Sequence, residues 1–189
     1  NRKERLERLG NMFLHFLCGW ASMLQFNHLA HAGSEGPQRL PLSRLHPTPS
    51  FVDGVSRELE QEQRIYACEL IQQAGWLLQL HQVTTATGQA LLQRFYHNES
   101  IKEFDVRFVA MGALFLASKV EENMRAPRQM LSVFYRILQP HRPPLEISSK
   151  LYWELKEGMF QAEMHILRSL GFRVNVTHPH KFLLMYART

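Results

Sequence analysis

Between Phe104 and Asn123 the chain reads F-D-V-R-F-V-A-M-G-A-L-F-L-A-S-K-V-E-E-N, and every residue from Phe108 to Ala117 is apolar or glycine. A helix that is apolar around most of its circumference belongs in the middle of a bundle. Ala110, Gly112, Ala113 and Ala117 are small, so neighbouring helices can approach it closely. Four more helices follow from the same reading. The first covers about 57–80, its period set by Ile65, Cys68, Ile71 or Gln72, and Gly75 or Trp76. The second covers about 83–97. The apolar helix is the third, expected from Ser100, which with Glu103 forms a capping-box pattern, to about 122. The fourth starts near Pro127, a residue suited to a first turn, and ends before Pro140. The fifth covers about 148–170 and stops at Gly171, which tolerates the left-handed conformation that ends many helices. No segment alternates with period two for long enough to predict a strand. The class is all-α: five helices around a central apolar one, preceded by an irregular leader.

Two charges break the pattern. Lys119 lies four residues after Phe115 and seven after Gly112, so it continues a buried face. On the fifth helix, Glu163 interrupts the stripe of Leu155, Met159, Leu167 and Leu170. A lone buried ammonium or carboxylate is costly, and two on helices expected to pack together can be accounted for jointly. They form either an ion pair linking the helices or the donor and acceptor at the rim of an apolar surface left open for a partner. In the second reading the floor is Leu116, Val120, Leu167, Phe172 and Val174. Spacing alone does not choose.

Composition narrows the classes. The 189 residues suffice for one domain with a core, and the start at Asn1 is read as a fragment of a longer protein. Cys18 and Cys68 are the only cysteines, which gives no disulfide framework. Residues 31–50 hold four prolines and two glycines, so the domain boundary is placed at about residue 47, with 1–46 as leader and linker. The domain from 47 onward is expected to fold without residues 1–30. Residues 11–26 form an apolar run behind a charged start. Acidic residues in that start, His15 within the run and the lack of a convincing small-x-small site after it speak against a secretory signal, and the run is too short to span a bilayer. We read it as an amphipathic leader helix, with a non-native or weakly ordered leader as the alternative.

The net charge of +5 is uneven: +3 over 1–46, −4 over 47–124 and +6 over 125–189. An acidic half beside a basic one suits complementary protein contacts better than a phosphate-tracking surface, so direct nucleic-acid binding is not expected. Of ten histidines His178 and His180 are nearest to each other, with turn-like spacing and no cysteine near, so no metal and no cofactor are expected. There is no phosphate loop and no nucleophile motif. Glu121 and Glu122 are not an acid/base pair, because adjacent helical residues diverge by about 100°. They are expected to be solvated, with contact to a partner as the alternative. No intrinsic catalysis is expected.

The string A-S-K-V-E-E closing the third helix resembles the signature of the cyclin box, and so does A-E-M-H-I-L-R-S-L-G-F at the end of the fifth. The resemblance implies that Lys119 and Glu163 grip the backbone around the regulatory helix of a cyclin-dependent kinase. Leu116, Val120, Leu167, Phe172 and Val174 would be the apolar floor. Within that family P-T-P-S at Pro47–Ser50, the run Cys68–Gly75, A-T-G-Q at Ala86–Gln89 and Q-R-F at Gln93–Phe95 look like the cyclin L branch, and H-P-H-K at His178–Lys181 like transcription-associated cyclins. The resemblance covers about 47–186. It implies a nuclear regulatory subunit of a PITSLRE-type kinase in transcription and pre-mRNA splicing, with splicing or transcription factors as further partners. The alternative is a cyclin-like general transcription factor module that touches DNA or the transcription machinery; the −4 of residues 47–124 argues against DNA. Three departures stand out. Arg128 is followed by Gln129 where the family usually has aspartate, which puts a local helix-start contact in doubt. The substrate-docking patch of cell-cycle cyclins would fall near Gln63, Ala67 and Leu70 and is absent. A second cyclin box and an arginine/serine-rich tail, usual in the family, do not follow in these residues.

Overall fold

A computed structural model describes residues 47–178 and Met185. The expected leader over 1–46 lies outside the described residues. Six helices and no strand occur among those described: α1 (Pro49–Val52), α2 (Arg57–Leu77), α3 (Gln82–Asn98), α4 (Val106–Val120), α5 (Pro127–Leu138) and α6 (Lys150–Ser169). None is long and apolar enough to cross a membrane.

α4 is the axis. It packs against α2, α3, α5 and α6, and Val106 and every residue from Val109 to Ser118 are buried. Its own sequence requires this, since so apolar a helix has no face to give to water. Ala110, Ala113 and Ala117 are wholly buried. Gly112 marks the closest approach: a Cβ there would lie 2.8 Å from the Glu163 amide nitrogen and 2.9 Å from the Ala162 Cβ. α4 and α6 therefore touch almost backbone to backbone at this point. The remaining core is built from Ile71, Leu91, Leu92, Phe95, Tyr96, Met130, Leu131, Phe134, Met159 and Ile166.

Helix starts follow local chemistry, with one correction. α2 and α6 open on Ser56 and Ser149, whose hydroxyls accept from the amides of Leu59 and Tyr152. α4 begins not at Ser100 but behind Asp105, whose carboxylate accepts the Arg107 amide at 2.8 Å and pairs with its guanidinium. The Ser100–Glu103 box does not form. The Ser100 hydroxyl accepts instead from the Lys102 amide, and the Tyr96 hydroxyl donates to the Phe104 carbonyl at 3.0 Å, which holds residues 101–104 in a turn. Hydrogen bonds from Arg107 hold the Asp105 carboxyl below the usual carboxylate range. The helix-start contact doubted for Gln129 is present: its side-chain oxygen accepts from the Ala126 amide at 3.3 Å.

The α2–α3 seam is polar. The motif residues Gln89 and Gln93 donate to the carbonyl and sulfur of Cys68, and Gln72 pairs with Gln82. Gly75 leaves just enough room for Thr85. Arg64 crosses the seam to Gln93 and forms an ion pair with buried Glu60 at 3.2 Å, although burial pulls its pKa down. Thr48 completes this group. Its hydroxyl caps α1 and donates to Glu60 at 2.6 Å, which fixes the short helix that periodicity did not predict. Thr48→Ala loses the cap and leaves a buried carboxylate oxygen short of a donor. The expected cost is about 1–2 kcal/mol in the urea midpoint, at unchanged slope.

Candidate functional site

Lys119 stands in the last turn of α4, where the helix dipole favours a cation. Helical side chains lean toward the N-terminus, and this one folds back over the Phe115 ring, its ammonium 4.2 Å from the ring centroid. It reaches both oxygens of Glu163, at 2.6 and 2.9 Å. The close crossing at Gly112 makes this possible, because it brings the backbone of Glu163 against α4. The ion pair of the sequence analysis is thus formed. It is lopsided: the lysine side chain is 38% exposed and the glutamate 9%. One ammonium hydrogen remains beyond the two that the carboxylate takes, and the carboxylate oxygens keep spare acceptor capacity. The pair holds both groups in place at the edge of the core with donor and acceptor sites still to offer.

The expected floor is distributed unevenly. Leu116 belongs to the core, 4% exposed, and so is not part of an open floor in the unbound chain. Val120, Leu167 and Val174 are half-buried and packed against the core. Phe172 stands out at 66% exposed.

Both helices that carry the pair end alike. At the end of α6 the amides of Gly171 and Phe172 donate to the carbonyls of Arg168 and Leu167, and Gly171 takes the left-handed conformation at φ 57°. Phe172 follows it into the same region, φ 61°, and its ring is carried outward. At the end of α4 the amides of Glu122 and Asn123 donate to Lys119 and Ser118. Here the left-handed position, usually glycine's, is filled by Glu122 at φ 52°. A side chain in that conformation costs on the order of 1 kcal/mol and tends to persist where function requires it. Glu122→Gly is therefore expected to raise stability by about 1 kcal/mol, read as a higher melting temperature, while removing an exposed carboxylate beside Lys119.

Glu121, expected to be solvated, turns inward. Its carboxylate accepts from the Thr87 hydroxyl at 2.6 Å, and His178 Nε2 stands 2.7 Å from the same hydroxyl and 3.9 Å from the carboxylate. The two glutamates diverge because the helix ends at Val120 and Glu122 turns into the left-handed conformation: Glu121 braces α3 and the chain after α6, and Glu122 faces water. Sequence spacing suggested only a turn for His178; its partners lie 57 and 91 residues earlier and left no local signal. His180 lies outside the described residues. Gln63 is half-buried, while Ala67 and Leu70 lie in the core.

Comparisons with known proteins agree on one family. Residues 42–175 match the model of the cyclin N-terminal domain. The chain is 44% identical over 150 residues to Cyclin-L1-1 of Arabidopsis thaliana, covering 77% of this chain and 36% of that protein. It is 43% identical over 150 residues to human Cyclin-L1 and 41% identical to human Cyclin-L2, covering 78% of this chain in each case and 28% and 29% of those proteins. The chain thus spans about a third of the length of the curated relatives it matches.

Proposed function

The chain belongs to the cyclin family, and from that premise we propose that it binds and activates a cyclin-dependent kinase, of the PITSLRE type, as a regulatory subunit without catalysis of its own. It would do so in the nucleus, in transcription and pre-mRNA splicing. The observation that carries the reading is the Lys119–Glu163 pair, held at the rim of the α4–α6 crossing with donor and acceptor capacity to spare. In this role the lysine donates to backbone carbonyls at the kinase's regulatory helix and the glutamate accepts from its amides. Leu167, Val120, Val174 and the outward ring of Phe172 meet its apolar side, and Leu116 supports them from the core. Glu122, exposed at the end of α4, would meet the kinase's activation segment.

The test is phosphate transfer by a purified PITSLRE-type catalytic domain, with and without the 189-residue chain. The expected result is a rise in rate that saturates with added chain, together with co-elution of the two proteins. A rate and an elution position unchanged at saturating chain would contradict the proposal. Salt-dependent binding of duplex DNA without kinase binding would favour the transcription-factor reading instead.

A further inference from the structure

We propose that the first turns of α6 extend the kinase contact through Trp153 and Lys156, which together form a seat for a carboxylate beside an apolar side chain. The inference rests on the kinase-binding reading above and adds residues to it. The observation is a continuous ladder of rings and cations. Trp153, 55% exposed, lies under the Lys156 ammonium at 4.7 Å from the ring centroid. The same ammonium lies 5.8 Å from the Phe160 ring. Phe160 packs against Phe115 at 5.7 Å, and Phe115 carries Lys119 at 4.2 Å. The ladder thus runs from Trp153 to the Lys119–Glu163 pair without a gap. Trp153 and Glu163 are separated by about 15 Å along the helix at ~1.5 Å per residue.

The two lysines on the ladder differ. Lys119 is neutralised by Glu163. Lys156 makes no ion pair among the described residues: its neighbours Glu154 and Glu157 are engaged by Lys150 and Gln161. Ring faces hold an ammonium in place without neutralising it, so this one keeps its full attraction for an incoming carboxylate. The indole beside it is held by Tyr152 in a T-shaped contact at 5.5 Å, so it is already ordered before any partner arrives. An ordered, half-exposed tryptophan next to an uncompensated cation has the make-up of an interface hot spot. The excess of basic residues over 125–189 points to the same chemistry in the partner.

The experiment measures the dissociation constant of the 189-residue chain for a PITSLRE-type catalytic domain. The parent is compared with Trp153→Ala, Lys156→Glu, Lys156→Arg and Lys119→Ala at two salt concentrations. Trp153→Ala and Lys156→Glu are expected to weaken binding by about tenfold or more. Lys156→Arg should stay near the parent, and Lys156→Glu should flatten the salt dependence. Should Trp153→Ala lower the melting temperature through its contact with Tyr152, the lysine variants decide. A parent that binds, a Lys119→Ala variant that does not, and Trp153→Ala and Lys156→Glu variants within twofold of the parent would overturn the ladder alone. A parent that fails to bind would overturn both proposals.

Discussion

Lys119→Ala and Glu163→Ala should each weaken kinase binding by roughly 30-fold to several-thousand-fold, about 2–5 kcal/mol, while leaving the cyclin box folded. The size follows from desolvation. When the kinase covers the pair, both charges leave water, and deleting one leaves the other, together with the kinase groups it met, buried and short of partners. Stability responds differently. In the unbound chain the Lys119 side chain is 38% exposed and that of Glu163 only 9%. Glu163→Ala therefore leaves an ammonium that water can reach and costs about 1 kcal/mol or less, whereas Lys119→Ala leaves a mostly buried carboxylate short of its donor and costs about 1–3 kcal/mol. The two effects separate when melting temperature and affinity are measured on the same samples. A variant that loses melting temperature but binds as tightly as the parent would falsify the gripping role and leave only a helix-to-helix strut.

Gly112→Leu is expected to destabilise the fold by about 3 kcal/mol, at the upper end of what overpacking a core costs. Even a Cβ at this position would sit 2.8 Å from a backbone nitrogen and 2.9 Å from the Ala162 Cβ, and neither can rotate away. The helices must part. Arg107→Leu, at the exposed start of the same helix, loses only a solvent-facing pair with Asp105 and should cost about 1 kcal/mol or less. Chemical denaturation of both variants checks the contrast, and equal shifts would mean that the α4–α6 contact is looser than described. Gly112→Ala is informative in a second way. Alanine favours a helix over glycine by about 1 kcal/mol, so a net loss of stability isolates the steric term. Any parting of α4 from α6 there also displaces Glu163 from Lys119, so kinase affinity should fall along with stability.

Most of the architecture was legible because it depends on periodicity. The apolar run of α4 named its own place, and Pro127 and Gly171 marked a start and a stop that the structure keeps. The start of α4 was misread because the Ser100–Glu103 pattern marks one start and the structure uses another, behind Asp105. What decides between them is the Tyr96 hydroxyl, which takes the Phe104 carbonyl out of any helical ladder, and a contact from another helix leaves no trace in local sequence. The short α1 has the same explanation, since Thr48 is fixed by Glu60 across the chain. Lys119 and Glu163 were visible as charges on apolar stripes. Their pairing was one of two readings that spacing left open, because it depends on how α4 and α6 slide past each other, which Gly112 and Ala162 determine. Leu116 was assigned to an open floor because it lies near Lys119 on the helix; a helix surrounded by four others leaves no open side at that turn. His178 and Glu121 meet through Thr87, which belongs to the A-T-G-Q string but gives no local sign of partners on other elements.

The central claim is that Lys119 and Glu163 are arranged for a partner and do more than join two helices. It is tested most directly by exchanging the two charges in one chain, Lys119→Glu with Glu163→Lys. An ion pair that serves only the fold works nearly as well reversed, whereas a donor and an acceptor aimed at a fixed backbone do not. The account predicts a melting temperature recovered to within a few degrees of the parent, well above that of either single charge reversal. It also predicts kinase affinity as poor as that of the single variants. Recovery of kinase affinity along with melting temperature would contradict it.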